Sequence, residues 1–297
     1  MSSGTEVPKT SRVAVLGAGT MGHGIAHAML AAGMQAAIFD VSPDALTRSR
    51  TSIARLFAKG VELGKLGQAS ADDALSRLST TSDIEDAVRD TELVIEAVPE
   101  RIDLKLDVLV RAEQAAPAHA YLASNTSALS LTEMGAALKN PARFAGMHFF
   151  NPVHRMKLVE IVRALDTAPE TLAVLEAVTR QIGKEPVLVR ESPGFVTSRI
   201  NVLIGNEAFY MLQEGVASAE DIDKALKLGL NHPMGPFEMV DLVGLDVRLS
   251  ILEFLHRTLG EAYRPNNLLV QHVRAGRLGR KVGRGVYDYN EQGERVR

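Results

Sequence analysis

Short apolar runs alternate with helical patterns through the first part of the chain. The runs predict strands at Val13–Leu16, Met34–Phe39, Glu92–Val98, Tyr121–Ser124 and Arg143–Phe149. Helical patterns fill the intervals up to about Ile161. An unbroken apolar run is typical of a strand buried on both faces, and helical crossovers connect parallel strands. The pattern therefore predicts an α/β domain with a doubly wound (Rossmann) parallel sheet.

The pattern changes after Glu185 and Pro186. Residues 187–189 are one last strand candidate, and only helical patterns follow Ser192-Pro193-Gly194. These patterns predict helices at Phe195–Glu214, Ser218–Lys227, Pro236–Leu259 and Asn267–Ala275. We therefore expect two domains, a sheet domain over residues 1–190 and an all-α domain over residues 191–297.

A glycine pattern, GxGxxG, joins the first predicted strand to the first predicted helix. Gly17 would allow a tight turn out of the strand, Gly19 a close approach of backbone to a pyrophosphate, and Gly22 close packing of helix on strand. The phosphates would lie on N–H groups at the helix N-terminus. The pattern alone is weak, but its position between strand and helix indicates a dinucleotide site.

Asp40 ends the second apolar run, about twenty residues beyond the glycines. A carboxylate at this place can bind both hydroxyls of a ribose, and it would repel a 2′-phosphate. It therefore favours NAD over NADP. The alternative is a structural glycine turn followed by a solvated Asp40, and the order of strand, turn, helix, strand and acid disfavours it.

Composition and charge narrow the class of protein. The 297 residues carry a net charge of −3 and include no cysteine. The small net charge gives no reason to expect nucleic acid or a membrane surface as a partner, and the lack of cysteine excludes disulfides, thiolate metal sites and a cysteine nucleophile. No apolar run approaches the roughly 18 to 20 residues of a membrane span, and residues 1–11 do not resemble a signal peptide. We expect a cytoplasmic protein.

His148 is the histidine best placed for chemistry. It lies at the end of a predicted strand, near the predicted cofactor site, and an imidazole suits proton transfer at neutral pH. Glu160 follows twelve residues later, beyond the turn signal Asn151-Pro152, and could fold back to orient the imidazole. A histidine and a glutamate at this separation are often coincidental, so the spacing by itself does not establish a catalytic pair.

Six ordered motifs give this chain a family resemblance. They are Val15–Gly24, Glu96–Glu100 with Lys105, Ser124–Ser127, His148–Val153, Pro193–Val196, and Pro233–Pro236 with Gly244–Asp246. In this order they resemble the short-chain L-3-hydroxyacyl-CoA dehydrogenases, especially the bacterial 3-hydroxybutyryl-CoA dehydrogenases. The likeness runs from about residue 12 to Tyr289.

The resemblance implies an NAD-dependent enzyme that interconverts an L-3-hydroxyacyl-CoA and the 3-ketoacyl-CoA. It implies that His148 is the catalytic acid/base, that Glu160 is its partner, and that Ser127 contacts the substrate's 3-oxygen near the nicotinamide. The cofactor-binding residues it implies are Gly17, Gly19, Thr20, Met21, Gly22, Gly24, Asp40, Glu100, Lys105, Ser127 and Asn151.

Several of these residues also have simple structural interpretations. Ser127 could be the N-cap of the next helix, Glu100 and Lys105 an exposed acid and base on a helix, and Asn151 a turn residue before proline. Ser198 stands where many family members have a substrate-contacting asparagine; because serine is shorter, either water fills the gap, Asn201 substitutes, or substrate binds differently.

Lys59 is the last residue of a basic stripe on the predicted helix that follows Asp40, with Arg48 and Arg55. The stripe is either a solvated helix face or a site for coenzyme A phosphates, and Lys59 is the candidate substrate contact.

Two alternative functions remain open, and the sequence also predicts an oligomeric state. The chain could be a hydroxy-acid dehydrogenase that does not use coenzyme A, which the basic stripe mildly disfavours, or a non-catalytic NADH-binding protein, which the presence of both His148 and Glu160 disfavours. The apolar residues of Phe195–Met211 exceed a single stripe, and the family pairs through its helical domain, so we expect a homodimer. The same residues could instead fill the core of a small α domain.

Overall fold

A computed structural model describes residues 9–296, and the chain divides into two compact units after Glu191. Within the described residues, the first unit holds one sheet of eight strands in the order β3-β2-β1-β4-β5-β6-β7-β8. The strands are Arg12–Leu16 (β1), Gln35–Phe39 (β2), Leu78–Thr81 (β3), Leu93–Glu96 (β4), Tyr121–Ser124 (β5), Phe144–Phe149 (β6), Leu158–Arg163 (β7) and Glu185–Arg190 (β8).

Helices cover both faces of this sheet. They are Thr20–Ala31 (α1), Pro43–Glu62 (α2), Gln68–Ser76 (α3), Ile84–Val88 (α4), Ile102–Ala115 (α5), Leu131–Ala136 (α6) and Pro169–Gln181 (α7). Val13 and Val15 of β1 share one core with residues of α1, α2, α3 and α7. Ala14 and Leu16 alternate with them and are also fully buried. The apolar run of β1 therefore reflects burial on both faces, and the expected doubly wound fold is confirmed.

The sheet differs from the expected all-parallel arrangement at one edge. Strands β1 to β6 are parallel, β7 is antiparallel to β6, and β8 is parallel to β7. Residues 150–157 connect β6 to β7 and contain no helix. A parallel return needs a crossover of roughly a dozen residues or more, so this short link can only bring β7 back antiparallel.

Strand β3 and helices α3 and α4 of the first unit were not expected from the pattern. Strand β3 has the sequence Leu-Ser-Thr-Thr and lies at the edge of the sheet, where only one side pairs. Helix α4 has five residues, and α3 is rich in alanine and polar residues. None of them shows the long apolar period on which such a prediction depends.

The second unit contains helices, as expected. They are Thr197–Gln213 (α8), Ala219–Gly229 (α9), Pro236–Val243 (α10), Leu245–Leu259 (α11) and Asn267–Arg274 (α12). Their core includes Phe209, Phe237 and Leu255, which are fully buried.

The prediction of one helix over Pro236–Leu259 was wrong. The backbone at Gly244 has φ = 107°, which ends α10 and starts α11. The region of positive φ favours glycine, and a Cβ on Gly244 would lie 2.8 Å from Asp246 Oδ1. Across residues 9–296, no helix is both long and apolar enough to span a membrane.

Candidate active site

The glycine pattern lies at the point where the strand order reverses, between β1 and α1. Gly17 has φ = 111°, and a Cβ there would lie 2.6 Å from the carbonyl oxygen of Ala97. A Cβ on Gly22 would lie 1.8 Å from the carbonyl oxygen of Gly17, whereas a Cβ on Gly19 would meet nothing within 4 Å. Close packing therefore requires glycine at Gly17 and Gly22. At Gly19 the space beside the backbone is open, as the approach of a pyrophosphate requires.

A cleft of about 490 Å³ lies beside this turn at the carboxyl ends of the strands. Helix α1 points its N-terminus at the turn, Gly19 is its N-cap, and its first turn holds no acidic residue. Such a helix end favours a phosphate anion. The predicted residues that line the cleft are Gly17, Gly19, Thr20, Met21, Asp40, Glu100, Lys105, Ser127 and His148.

Main-chain donors hold the carboxylate of Asp40 at the end of β2. Ala18 N donates to Asp40 Oδ2 at 2.8 Å, and Ser42 N donates to Oδ1 at 2.9 Å. Because both oxygens are held, the carboxylate is already oriented at the wall of the cleft. The open turn, the helix N-terminus and this acid together fit a dinucleotide with an unphosphorylated ribose.

A buried ion pair lies deeper in the same cleft. Lys105 is 1% exposed and Glu96 is 0% exposed, and Lys105 Nζ donates to Glu96 Oε1 at 2.7 Å. Glu96 also accepts hydrogen bonds from Val98 N at 2.7 Å and from the Ser124 hydroxyl. Burial raises the pKa of Glu96, while the Lys105 ammonium and these donors oppose the rise. Lys105 is therefore not the exposed helix residue that its sequence context also allowed.

Glu100 connects this pair to Ser127. Its carboxylate lies 3.2 Å from Lys105 Nζ, and its Oε1 accepts hydrogen bonds from Thr126 Oγ1 at 2.6 Å, Ser127 N at 2.9 Å and Ser127 Oγ at 3.2 Å. Partial desolvation disfavours the ionised form of Glu100, whose side chain is 40% exposed, but Lys105 and these donors outweigh it and lower the pKa of the carboxyl. The N-cap of α6 is Ser130, so Ser127 is not a capping residue.

The antiparallel pairing of β6 and β7 sets His148 directly opposite Glu160. His148 Nδ1 and Glu160 Oε2 are 2.8 Å apart, and the two residues are 5% and 1% exposed. The ring of Phe150 packs 4.5 Å from the imidazole, centroid to centroid. A buried carboxylate at Nδ1 can orient an imidazole and stabilise its charged form. This arrangement suits an acid/base at the wall of the cleft.

Asn125 also lines the cleft, and sequence reasoning assigned it no role. It follows β5, and its Oδ1 accepts a hydrogen bond from Phe149 N at 2.9 Å. It thereby holds the end of the strand that carries His148. Its place directly after a predicted strand, within the Ser124–Ser127 motif, predicts a position at this edge of the sheet, but not its bond to Phe149.

Besides Gly22 and Glu160, whose contacts are given above, four predicted residues do not line the cleft. Gly24 is buried inside α1, where a Cβ would lie 2.9 Å from Val153 Cγ2. Asn151 is exposed and is not among the described residues that line the cleft. Lys59 is exposed and pairs with Glu62 at 2.8 Å, and Ser198 is the second residue of α8 in the second unit.

Two family models match this chain, one over each unit. Residues 12–192 match the family model of the 3-hydroxyacyl-CoA dehydrogenase NAD binding domain, and residues 194–289 match that of the 3-hydroxyacyl-CoA dehydrogenase C-terminal domain. The chain belongs to the 3-hydroxyacyl-CoA dehydrogenase family. Its first unit is accordingly an NAD-binding Rossmann domain, and the resemblance that the sequence motifs carried is confirmed.

Relatives within this family match nearly the whole chain. A Bacillus subtilis protein named "Probable 3-hydroxybutyryl-CoA dehydrogenase" is 43% identical over 95% of this chain and 98% of its own length. The 3-hydroxybutyryl-CoA dehydrogenase of Clostridioides difficile is 41% identical over 94% of this chain and 100% of its own. The crystal structure of (S)-3-hydroxybutyryl-CoA dehydrogenase from Ralstonia eutropha superposes with a TM-score of 0.92 at 42% identity, covering 95% of this chain and 100% of that one.

Proposed function

We propose that this 3-hydroxyacyl-CoA dehydrogenase interconverts a short-chain L-3-hydroxyacyl-CoA, such as 3-hydroxybutyryl-CoA, and the 3-ketoacyl-CoA, using NAD. The observation that carries the proposal is the buried pair of His148 and Glu160, 2.8 Å apart, at the wall of the cleft that Gly17, Gly19 and Asp40 also line. The names of the relatives support the choice of a four-carbon acyl chain.

The cleft residues would hold NAD in one orientation. The N–H groups at the start of α1, with Gly17, Gly19, Thr20 and Met21, would bind the pyrophosphate, and Asp40 would bind the ribose hydroxyls. Glu100 and Lys105, further along the cleft, would line the nicotinamide end. NAD supplies the hydride acceptor, and the protein supplies orientation and proton handling.

Proton transfer falls to His148. In oxidation the imidazole takes the proton of the substrate's 3-hydroxyl, and in reduction it returns a proton to the 3-oxygen. Glu160 accepts the Nδ1 hydrogen bond, which fixes the tautomer and stabilises the imidazolium that forms. The Ser127 hydroxyl, held by Glu100 at 3.2 Å, would contact the same 3-oxygen.

The remaining sequence-based assignments stay predictions. They comprise NAD contacts by Gly22, Gly24 and Asn151, and substrate contacts by Ser198 and Lys59. The division of labour between residues 1–190 as cofactor domain and 191–297 as substrate and dimerisation domain, the homodimer and the cytoplasmic location also rest on sequence reasoning. Sedimentation of the purified protein would test the dimer.

The decisive experiment measures the fall in NADH absorbance with a panel of substrates. We expect turnover of acetoacetyl-CoA, tested beside 3-ketohexanoyl-CoA and 3-ketoadipyl-CoA, and none of free acetoacetate. We also expect NADPH to be a poorer donor than NADH, because Asp40 would repel a 2′-phosphate. Turnover of free acetoacetate but of no thioester would favour the hydroxy-acid dehydrogenase, and NADH binding without any turnover would favour the non-catalytic protein.

A further inference from the structure

The link between β6 and β7, residues 150–157, joins the strand of His148 to the strand of Glu160. Lys184 lies outside this link, and it is only 8% exposed. Its ammonium donates to the carbonyl oxygen of Val153 at 2.5 Å and to that of Met156 at 2.6 Å. A buried ammonium needs such acceptors, and here both belong to the link.

The backbone of Lys184 is itself fixed to the strand of Glu160. Lys184 N donates to Thr179 O at the end of α7 at 3.0 Å, and Glu185 N donates to Lys157 O at 2.8 Å. Strand β8 starts at Glu185 and pairs in parallel with β7, where Glu160 pairs with Val187. The Lys184 side chain therefore reaches the link from a position that is rigid relative to Glu160.

Helix α1 restrains the same link from the NAD-binding side. Val153 is 3% exposed, and a Cβ on Gly24 would lie 2.9 Å from Val153 Cγ2 and 3.0 Å from its Cβ. The side chain of Val153 thus packs against α1 while its carbonyl oxygen accepts from Lys184. The contact also gives Gly24 a physical role, since any larger residue there would displace the link.

Charges around Lys184 are consistent with its role as the donor. His27 of α1 and His154 of the link face it, and burial first, then neighbouring positive groups, lowers the pKa of His27 to about 4. Burial, together with nearby positive groups, also lowers the pKa of His154. Neither histidine therefore competes at neutral pH as a charged donor for the two carbonyl oxygens.

We propose that Lys184 is a positioning residue for proton transfer. By donating to the carbonyl oxygens of Val153 and Met156, it fixes the 150–157 link and thereby the orientation of the His148 imidazole. The start of the link is Phe150, whose ring packs on the imidazole. A loosened link would release this packing and widen the range of orientations of His148. The inference rests on the proposed role of His148 and Glu160.

The lack of cysteine in this chain allows a chemical test of Lys184. Lys184→Cys would be the only thiol, and it can be alkylated in denaturant and refolded, with wild type taken through the same steps. Treatment with 2-bromoethylamine restores an ammonium on a side chain of lysine length, whereas iodoacetamide adds a neutral amide. Lys157→Met removes an exposed charge from the same link and is the matched control.

We expect kcat with acetoacetyl-CoA to fall about tenfold or more in Lys184→Met and in the amide-alkylated protein, because small misplacements of reacting groups are costly. The NADH dissociation constant should stay within twofold, and the aminoethylated protein should regain most of the kcat. The proposal would be overturned if the kcat of Lys184→Met were within twofold of that of Lys157→Met. It would also be overturned if the aminoethylated and amide-alkylated proteins had the same kcat.

A second measurement separates this inference from the proposed function. The NMR titration of His148, assigned by its loss in His148→Gln, needs no turnover. We expect the titration to differ between Lys184→Met and Lys157→Met, and superimposable curves would refute the positioning role even if no thioester were a substrate. Failure of wild type to reduce any thioester would count against the proposed function alone.

Gly24 provides a further variant in case Lys184→Met does not fold. Gly24→Ala should lower kcat by pushing on Val153, and the double variant Gly24→Ala with Val153→Ala should recover it, because the alanine leaves room for the new Cβ. Equal kcat in wild type and Gly24→Ala would contradict the proposed restraint of the link.

Discussion

Both units bury carboxylates, but they satisfy them with different partners. In the first unit, Glu96 accepts from the ammonium of Lys105, and Glu160 lies beside the imidazole of His148. In the second unit, the 1% exposed carboxylates of Asp223 and Asp241 accept from main-chain N–H groups and tyrosine hydroxyls. The first kind of partner can carry a positive charge or exchange a proton, and the second kind is neutral.

The neutral network of the second unit ties the end of the chain to the helices. Asp241 of α10 accepts from Val286 N at 2.8 Å, Tyr287 N at 2.9 Å and the Tyr289 hydroxyl at 2.8 Å. Asp223 of α9 accepts from Phe237 N at 2.8 Å and the Tyr287 hydroxyl at 2.9 Å. These bonds hold residues 286–289 in place and give the two buried carboxylates a structural role.

Glu100 of the first unit responds to pH with the opposite sign to Asp223 and Asp241, whereas Glu96, whose pKa burial raises, shares their sign. Burial raises the pKa of Asp223 and Asp241, so their contribution to stability is full below the unfolded-state pKa and declines as pH rises through the folded-state pKa. Burial opposes ionisation of Glu100 too, but Lys105 and the hydrogen-bond donors lower its pKa on balance. The Glu100 contribution is therefore full above the unfolded-state pKa and declines as pH falls. Acid should therefore remove the Glu100 contribution while those of Asp223 and Asp241 persist.

The strongest test of the comparison removes the proton-transfer group. His148→Gln should lower kcat by roughly 10²- to 10⁴-fold, the usual cost of losing a positioned acid/base, with little change in NADH affinity. His119→Gln, at an exposed histidine that does not line the cleft, is the control and should stay near wild type. Steady-state kinetics with acetoacetyl-CoA measure both, and near-normal turnover in His148→Gln would remove the basis for a catalytic role.

Removing a carboxylate from the neutral network of the second unit should lower the free energy of unfolding. Asp241→Ala leaves two buried N–H groups and a hydroxyl without their acceptor, at roughly 1–3 kcal/mol each, so we expect a loss of about 3 kcal/mol or more. Asp246→Ala breaks a partly exposed pair with Lys281 and should cost at most about 1 kcal/mol. Urea unfolding followed by circular dichroism measures both. Equal losses would show that the burial of Asp241 has no special energetic role.

A smaller effect is expected on the pH dependence of NADH binding when Lys105 is replaced. Lys105→Met removes the cation that keeps Glu100 ionised, so the pKa of Glu100 should rise and NADH binding should weaken more steeply with acid than in wild type. A rise of one pKa unit corresponds to about a tenfold change in the protonation equilibrium. Fluorescence titration of NADH between pH 5 and 8 measures it.

Arg111→Met, at an exposed position of the same helix α5, is the control for that change. It should leave both NADH affinity and its pH dependence as in wild type. If Lys105→Met weakened binding equally at every pH, the protonation state of Glu100 would not depend on Lys105, and Lys105 would act only through direct contact.

Local pattern determined much of this protein. The buried run of β1, the glycines after it and the acid after β2 predicted a Rossmann domain and its NAD-binding turn, because each depends on neighbours close in sequence. The ordered motifs identified the family. Positive φ at Gly17 and the open space at Gly19 give these two residues the geometry that their spacing predicted.

Only the tertiary structure decided how distant residues meet. It set the register that places Glu160 opposite His148, and it buried Lys105 between Glu96 and Glu100. It also brought Lys184 to the carbonyl oxygens of the 150–157 link, although nothing in the sequence near Lys184 indicated that contact. Ion-pair burial and the contacts of Lys184 depend on packing between segments that are not neighbours in the chain, which neither local period nor spacing encodes.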